Sequence, residues 1–231
     1  MREKICKCYL IAKFNYDIFD EIVIFLTDEG KKISCFSKGS RRIASKNGMN
    51  LIIGNFLELE YFESRFNNKL NRLKKINSIR NIDYSISNSS LFNLLNLIFT
   101  KIDWIENDVE YYNLYQEFLA LILLSQDDSA IINYMIIKFL SLINENVNLK
   151  ICQRCNCVSK LQSVSIQELG FICLECLDEH DDFFTDSEME YIFEIISNNF
   201  FLPSKEQKID SLNISNKLTK KLIKYRNNYS K

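Results

Sequence analysis

The 231-residue chain is 47% hydrophobic and 26% charged, a composition that is typical of a globular protein and excludes a fibrous or disordered chain. Its longest apolar runs fall well short of the roughly 20 residues that a membrane-spanning helix needs. The charged N-terminal residues also lack the apolar centre of a signal peptide, so we expect a cytoplasmic protein that does not contact a membrane.

The formal net charge of −1 conceals an asymmetry along the chain. Residues 1–82 carry 16 Lys and Arg against 9 Asp and Glu, a net charge of +7, whereas residues 83–231 carry 13 against 21, a net charge of −8. The basic part is therefore the candidate for binding a polyanion. The acidic part argues against a protein that coats DNA with its whole surface.

The first 82 residues predict a small β-barrel. Short segments rich in β-branched and aromatic residues predict five strands, at residues 5–14, 21–27, 32–37, 55–62 and 69–79. Gly30 marks a tight turn between the second and third strands. Five short strands in about 80 residues favour the OB fold, which is a five-stranded barrel. We therefore assign residues 1–82 to an OB-fold nucleic-acid-binding domain.

A basic segment between the third and fourth strands, residues 38–48, is here called the basic loop. Together with neighbouring strands it supplies the candidate DNA-binding residues, which are Lys31, Lys32, Lys38, Arg41, Arg42, Lys46, Arg72 and Lys74. Their affinity would come mainly from phosphate contacts and would fall with salt. Phe14 and Tyr16 are candidates for stacking on bases, although we expect most nearby aromatic residues, Phe19 and Phe36 included, to lie in the barrel core.

From residue 83 onward, apolar residues recur at helical spacing. Residues 110–124 and 129–143 predict two helices, and further helices follow from residue 187 and over residues 211–225. The segment 151–177, which contains the cysteine pairs, interrupts this pattern. The sequence therefore predicts an α+β protein in which a helical domain, residues 83–231, carries an inserted zinc-binding hairpin.

Two C-x₂-C pairs separated by 17 residues predict a structural zinc site with the ligands Cys152, Cys155, Cys173 and Cys176. Each pair lets two thiolates converge on one metal ion, and four thiolates form a closed tetrahedral site. Cys157 and His180 are alternative ligands that spacing alone leaves open. Cys6, Cys8 and Cys35 lie in predicted strands, where we expect buried, inert thiols.

Catalytic signatures are missing from the sequence. It has no phosphate-binding P-loop, no dinucleotide-binding glycine motif and no nucleophile elbow. A zinc deaminase needs an H-x-E motif paired with P-C-x-x-C, and neither is present. We therefore predict that the protein is not an enzyme.

Two stretches of the N-terminal part resemble the RecO family of recombination mediators. They are DEIVIFLTDEGK at residues 20–31 and SKGSRRIASK at residues 37–46. The strand at residues 55–60 and the paired cysteines after a helical body also fit the family pattern. The resemblance spans about residues 4–180.

The resemblance implies a bacterial cytoplasmic protein that acts in DNA repair and recombination. Members of the family bind single- and double-stranded DNA, anneal complementary strands and, with RecR, help to load RecA onto single strands coated by single-strand binding protein (SSB). Some members also contact the C-terminal tail of SSB. The alternative is a zinc-stabilised OB-fold scaffold that bridges proteins without binding DNA, because OB folds serve many functions.

Overall fold

A computed structural model describes residues 2–66, 69–101, 109–124, 127–143 and 151–228 of the chain. The chain divides into two compact units, Met1–Leu119 and Ala120–Lys231. No helix within the described ranges is long and apolar enough to cross a membrane.

The first unit is built on five strands. These are β1 (Arg2–Asn15), β2 (Glu21–Thr27), β3 (Lys32–Ser37), β4 (Phe56–Glu63) and β5 (Asn71–Arg80). They pair in the order β1-β2-β3-β5-β4, and β4 also pairs with β1, which closes the sheet into a barrel. All pairings are antiparallel except that of β3 with β5. All five predicted strands are present.

Alternation of side chains along the strands fills the barrel. Cys8, Leu10, Val23, Phe25 and Cys35 are completely buried and form a core with residues from β4 and β5. Burial raises the pKa of Cys35 to about 12, so this thiol stays protonated and unreactive. The predicted burial of Cys8 and Cys35 is confirmed, whereas the prediction for Cys6 is wrong because this residue is only partly buried.

Three helices follow the barrel: α1 (Tyr84–Ser87), α2 (Ser90–Lys101) and α3 (Val109–Leu124). The buried Asn96 of α2 donates a hydrogen bond from Nδ2 to the backbone oxygen of Ile11 in β1, at 2.6 Å. The phenol of Tyr115 in α3 donates to Oδ1 of Asn96. The first compact unit continues beyond the barrel to Leu119, since α2 packs on β1 and rings of α3 contact Tyr9 of β1.

The second unit combines helices with a two-stranded hairpin. Its elements are α4 (Asp128–Ile143), β6 (Leu161–Ser165), β7 (Gly170–Cys173), α5 (Asp186–Ser197) and α6 (Lys208–Asn228). Helix α4 packs against both α5 and α6, and β6 pairs antiparallel with β7. The predicted α+β class, with a five-stranded N-terminal sheet and a helical part that contains the cysteine hairpin, is therefore confirmed.

Helix α5 begins with a capping box. The Thr185 hydroxyl accepts a hydrogen bond from the Glu188 backbone N–H, and the Glu188 carboxylate accepts one from the Thr185 backbone N–H. Glu188 is 2% exposed, and its carboxylate lies 2.6 Å from Nζ of Lys217 in α6. A buried carboxylate is tolerated because this ion pair and the capping bond satisfy it.

Candidate nucleic-acid interface and candidate metal centre

The basic loop is fastened to the turn that joins β1 and β2, residues 16–20. The Gly39 backbone N–H donates to Oδ1 of Asp20 at 2.7 Å. Arg41 donates twice, from its backbone N–H to the Phe19 oxygen at 3.1 Å and from Nη1 to the Asp17 oxygen at 3.2 Å. These bonds hold the cationic side chains of the loop beside the β1–β2 turn.

The other end of the loop is fastened to β5. The Asn47 side chain donates from Nδ2 to the Lys74 oxygen at 3.3 Å, and its Oδ1 accepts from the Ile76 backbone N–H at 3.2 Å. At the first end of the loop, near Asp20, the backbone of Gly39 has a φ of +66°, a conformation that favours glycine. The loop is therefore an ordered feature of the barrel surface.

The eight predicted DNA-binding residues differ in how their charges are compensated. Five are exposed, and no ion pair found in the described part of the chain involves them: Lys38, Arg41, Arg42, Lys46 and Arg72. Lys74 pairs with Glu3 at 2.6 Å and with Glu60 at 3.2 Å. Hydrogen bonds to these carboxylates raise the pKa of Lys74 above its ordinary value. The five exposed cations are thus the better placed to contact phosphates.

The remaining two predicted residues also have partners. Lys31 pairs with Glu29 at 2.6 Å. The ammonium of Lys32 lies 5.5 Å from the ring centre of Tyr111, within the range of a cation–π contact. DNA binding by all eight residues stays a prediction, and at Lys31, Lys32 and Lys74 a phosphate would compete with these contacts.

Aromatic side chains lie exposed beside the basic loop. Phe14 is 49% exposed, Tyr16 64% and Phe19 48%. The rings of Tyr16 and Phe36 meet edge to face at 5.4 Å, and the guanidinium of Arg42 lies 5.1 Å from the Phe19 ring centre. The expectation that most of these aromatic residues fill the barrel core is wrong, because three lie on the surface and Phe36 is only partly buried.

A β-bulge explains the exposure of Phe14. Cys8 and Leu10 face the core, so strict alternation along β1 would turn Phe14 inward as well. The register between β1 and β2 shifts between Leu10 and Ala12, and the extra residue reverses the alternation. Phe14 therefore pairs with Ile22 on the outer face.

In the second unit, tight turns bring the cysteines together. The Asn156 backbone N–H donates to the Cys152 oxygen, and the Cys152 N–H donates to the Cys157 oxygen, both at 2.8 Å. Asn156 adopts a φ of +62° in this turn. The turn packs against β7 because Gly170 has no side chain, and a Cβ there would lie 2.7 Å from Cγ of Gln153.

Four thiols converge closely enough to hold one metal ion. The sulfur atoms of Cys152, Cys155, Cys157 and Cys173 all lie within 4.8 Å of one another, and those of Cys155 and Cys173 are 3.6 Å apart. A set of four soft sulfur donors fits Zn²⁺. The structure thus brings three of the four predicted ligands together with Cys157.

Cys176, the fourth predicted ligand, is close to the same group. Hydrogen bonds with the thiols of Cys155 and Cys173 raise its pKa. The Cys157 thiol also has a backbone partner, since it donates to the Ser159 oxygen at 3.4 Å. Both Cys157 and Cys176 are therefore near enough to the other three thiols to be candidates for the fourth ligand. His180 is outside the four-thiol group, and its ring lies 3.7 Å from Glu179.

The surroundings of two thiols, Cys152 and Cys173, lower their pKa and so favour the thiolate form. Burial opposes the ionisation of Cys173, but hydrogen bonds with the thiols of Cys157 and Cys155 lower its pKa to about 6. Burial likewise opposes the ionisation of Cys152, yet backbone N–H groups, including that of Arg154, lower its pKa. Metal ions bind the thiolate form, so this environment suits a metal site.

Arg154, which lies between Cys152 and Cys155 in the sequence, connects the segments that form the cysteine site. Its guanidinium lies 2.9 Å from the Glu168 carboxylate and 2.7 Å from that of Asp181, and it also donates to the Cys176 oxygen. The side chain therefore links the first cysteine turn to the hairpin turn and to the segment after β7. A sequence-based search for ligands does not find Arg154, because its role depends on these long-range contacts.

Several curated proteins resemble this chain over most of its length, although no protein-family model matches it. DNA repair protein RecO of Mycoplasma mycoides subsp. mycoides is 23% identical over 228 residues, covering 96% of this chain and 91% of that protein. The corresponding protein of Mycoplasma capricolum subsp. capricolum gives the same figures. That of Mesoplasma florum is 25% identical over 203 residues, covering 85% and 75%. These similarities support the RecO family for this chain.

Proposed function

We propose that the protein acts in DNA repair as a RecO-type recombination mediator that binds DNA through the outer surface of its barrel. The similarity to proteins named DNA repair protein RecO supports the repair role. The observation that carries DNA binding is the basic loop. It is tied to the barrel at both ends and presents Lys38, Arg41, Arg42 and Lys46 to solvent.

Strand annealing follows from charge neutralisation. Two DNA strands repel each other through their phosphates, and exposed cations that contact both strands lower that repulsion. Arg41 and Arg42 are adjacent and exposed, and among the described residues neither forms an ion pair that a phosphate would have to displace. We therefore propose that the barrel binds single- and double-stranded DNA and lets complementary strands pair, with no bond made or broken.

The protein partners and the compartment belong to the same proposal. As a cytoplasmic mediator the protein would act with RecR to help load RecA onto SSB-coated single strands, and it would contact the SSB tail. The acidic part of the chain, with a net charge of −8 over residues 83–231, is suited to a basic protein surface and unsuited to DNA.

The cysteine group would hold a structural Zn²⁺. Cys152, Cys155 and Cys173 would bind it together with Cys176 or Cys157. A zinc ion held by four thiolates has no open position for a substrate, so it would fix the first cysteine turn to the hairpin. This role requires no catalysis, and we propose that the protein is not an enzyme.

The double substitution Arg41→Ala with Arg42→Ala tests the proposal. We expect weaker binding to single-stranded and duplex DNA, and a smaller slope of log affinity against log salt concentration. Because each phosphate contact on a single strand contributes about 0.7 to that slope, the loss of two contacts reduces it by about 1.4. Fluorescence anisotropy of labelled oligonucleotides at several salt concentrations measures both quantities.

A matched control removes the same charge elsewhere. Lys205→Ala with Lys220→Ala removes two exposed lysines from the second unit and should leave affinity and slope unchanged. If the arginine variant binds DNA like the unaltered protein, the basic loop is not the DNA site. If the unaltered protein binds no DNA, a scaffold that bridges proteins explains the barrel better.

A further inference from the structure

Outward-facing side chains form a transverse row across all five strands of the barrel. Phe14 of β1 pairs with Ile22 of β2, which pairs with Phe36 of β3. Phe36 pairs with Arg72 of β5, which pairs with Phe62 of β4. Residues paired in this way lie side by side on one face of a sheet, with Cβ atoms about 5 Å apart. We call these five residues the aromatic row.

The row faces away from the core at every strand. Its neighbours along the chain, Val23, Cys35, Tyr61 and Leu73, belong to the buried core of the barrel. Phe14 is 49% exposed, Arg72 is exposed, and the other three members are partly buried. The row thus places three aromatic rings, one isoleucine and one guanidinium group side by side on the outer face of the sheet.

The β1–β2 turn and the basic loop extend the row. Tyr16, which is 64% exposed, lies edge to face against Phe36 at 5.4 Å. Phe19 in the same turn lies under the guanidinium of Arg42. The hydrogen bonds of Gly39 and Arg41 to this turn keep the cations of the loop next to the aromatic side chains.

We propose that the aromatic row and Tyr16 form a stacking platform for the unpaired bases of single-stranded nucleic acid. This proposal rests on the proposed DNA binding and specifies which form of DNA the barrel prefers. Arg72 within the row and Arg41 and Arg42 beside it would contact the phosphates of the stacked strand. This interleaving of cations with aromatic rings favours a nucleic acid over an apolar protein segment, which has no anionic backbone.

Stacking on such a platform discriminates between single strands and duplexes. In a duplex each base face is covered by its neighbours, so a protein side chain reaches only edges and phosphates. An unpaired base exposes its face, and one aromatic contact raises affinity about 5- to 150-fold whatever the base. The platform thus adds a preference for single strands, without sequence specificity, to the phosphate contacts of the basic loop.

Leucine substitutions test the platform without removing apolar bulk. Phe14→Leu with Tyr16→Leu abolishes the ring faces of two exposed residues and leaves the barrel core unchanged. We expect affinity for a single-stranded oligothymidine to fall at least 5-fold, while affinity for a duplex of the same length changes less than about 2-fold. The salt slope stays constant, because no phosphate contact is lost.

Two controls separate the possible outcomes. Tyr84→Leu alters an aromatic residue that is 74% exposed outside the row and should have no effect. Phe14→Tyr with Tyr16→Phe keeps both rings and should retain the single-strand preference. Unchanged single-strand affinity in the leucine variant, or an equal loss with duplex, overturns the platform but leaves the proposed DNA binding intact. If the unaltered protein binds neither form of DNA, both proposals fail, and a protein partner for the row becomes the better explanation.

Discussion

At the scale of single residues, Gly48 sets the shape of the basic loop. The chain folds back so closely that a Cβ at position 48 would lie 2.0 Å from the Ser40 carbonyl oxygen and 3.2 Å from the Ser45 Cβ. A backbone atom cannot yield as the end of a flexible side chain can. Any residue larger than glycine therefore has to displace the loop that presents Arg41 and Arg42.

We expect Gly48→Ala to lower the free energy of unfolding by about 1–3 kcal/mol, the usual cost of a forced steric overlap. DNA affinity should fall with it, because Arg41 and Arg42 lose their positions. Urea denaturation and oligonucleotide binding measure the two effects. Ile43→Ala, in the same loop at a fully exposed position, is the control and should change neither. A Gly48→Ala protein with unaltered stability and DNA affinity would show that the loop does not need this close approach.

The ion pairs and the exposure of some single residues could not be predicted from the sequence. The basic character of the loop is visible in the sequence, but the ion pairs of Lys74 with Glu3 and Glu60 depend on strands that are distant in sequence. The outward position of Phe14 depends on one inserted residue in β1, and alternation alone predicts the opposite face. Residue types thus predicted a basic surface on the barrel, but the register of strand pairing determines which side chains are exposed on that surface.

At the scale of elements, the cysteine turn and the β6–β7 hairpin assemble one site from two segments. The spacing of Cys152, Cys155 and Cys173 predicted this, because each short turn can bring a thiol to a common centre. The fourth position could not be derived from spacing. The left-handed turn at Asn156 brings the Cys157 thiol into the group, and the Cys176 thiol contacts the group as well.

Individual Cys→Ser substitutions with metal analysis identify the ligands. We expect Cys152→Ser, Cys155→Ser, Cys173→Ser and Cys176→Ser each to lose bound zinc, and Cys157→Ser to retain it. The reason is that C-x₂-C turns favour joint ligation, while the Cys157 thiol already bonds to the Ser159 oxygen. Zinc retained by Cys176→Ser and lost by Cys157→Ser would make the four closely spaced thiols the ligand set. Zinc content of one equivalent in all five variants would contradict a thiolate site altogether.

Strand pairing is a further element-scale feature that the sequence does not contain. The alternation of β4 predicts a strand, and its burial pattern follows that alternation closely. The parallel pairing of Cys35 and Phe36 with Asn71 and Arg72 joins two strands that are distant in sequence, and the pairing of β1 with β4 closes the barrel. Local propensity specifies the strands, but long-range packing chooses their partners.

At the scale of the whole molecule, the net charge has opposite signs in the N-terminal and C-terminal parts of the chain. Residues 1–82 carry +7 and the remainder −8, and the sequence predicts a domain boundary between them. By contacts within the chain, the first compact unit extends to Leu119 and so includes Asn96 and Tyr115, which are hydrogen-bonded to each other and, through Asn96, to β1. The spacing of apolar residues predicted the α+β class and the distribution of charge predicted the location of the basic surface, whereas the extent of each unit depends on contacts that the sequence pattern does not encode.

The central claim is that this barrel binds DNA through exposed cations for which the described part of the chain shows no carboxylate partner. The most direct test is fluorescence anisotropy of a labelled single-stranded oligonucleotide, titrated with the unaltered full-length protein at several salt concentrations. Five such cations, Lys38, Arg41, Arg42, Lys46 and Arg72, predict a slope of log affinity against log salt concentration of about −3.5 if each contacts one phosphate. Tight binding at low salt that weakens with a slope of this size agrees with the account. Absence of binding at low salt, or binding that does not depend on salt, contradicts it.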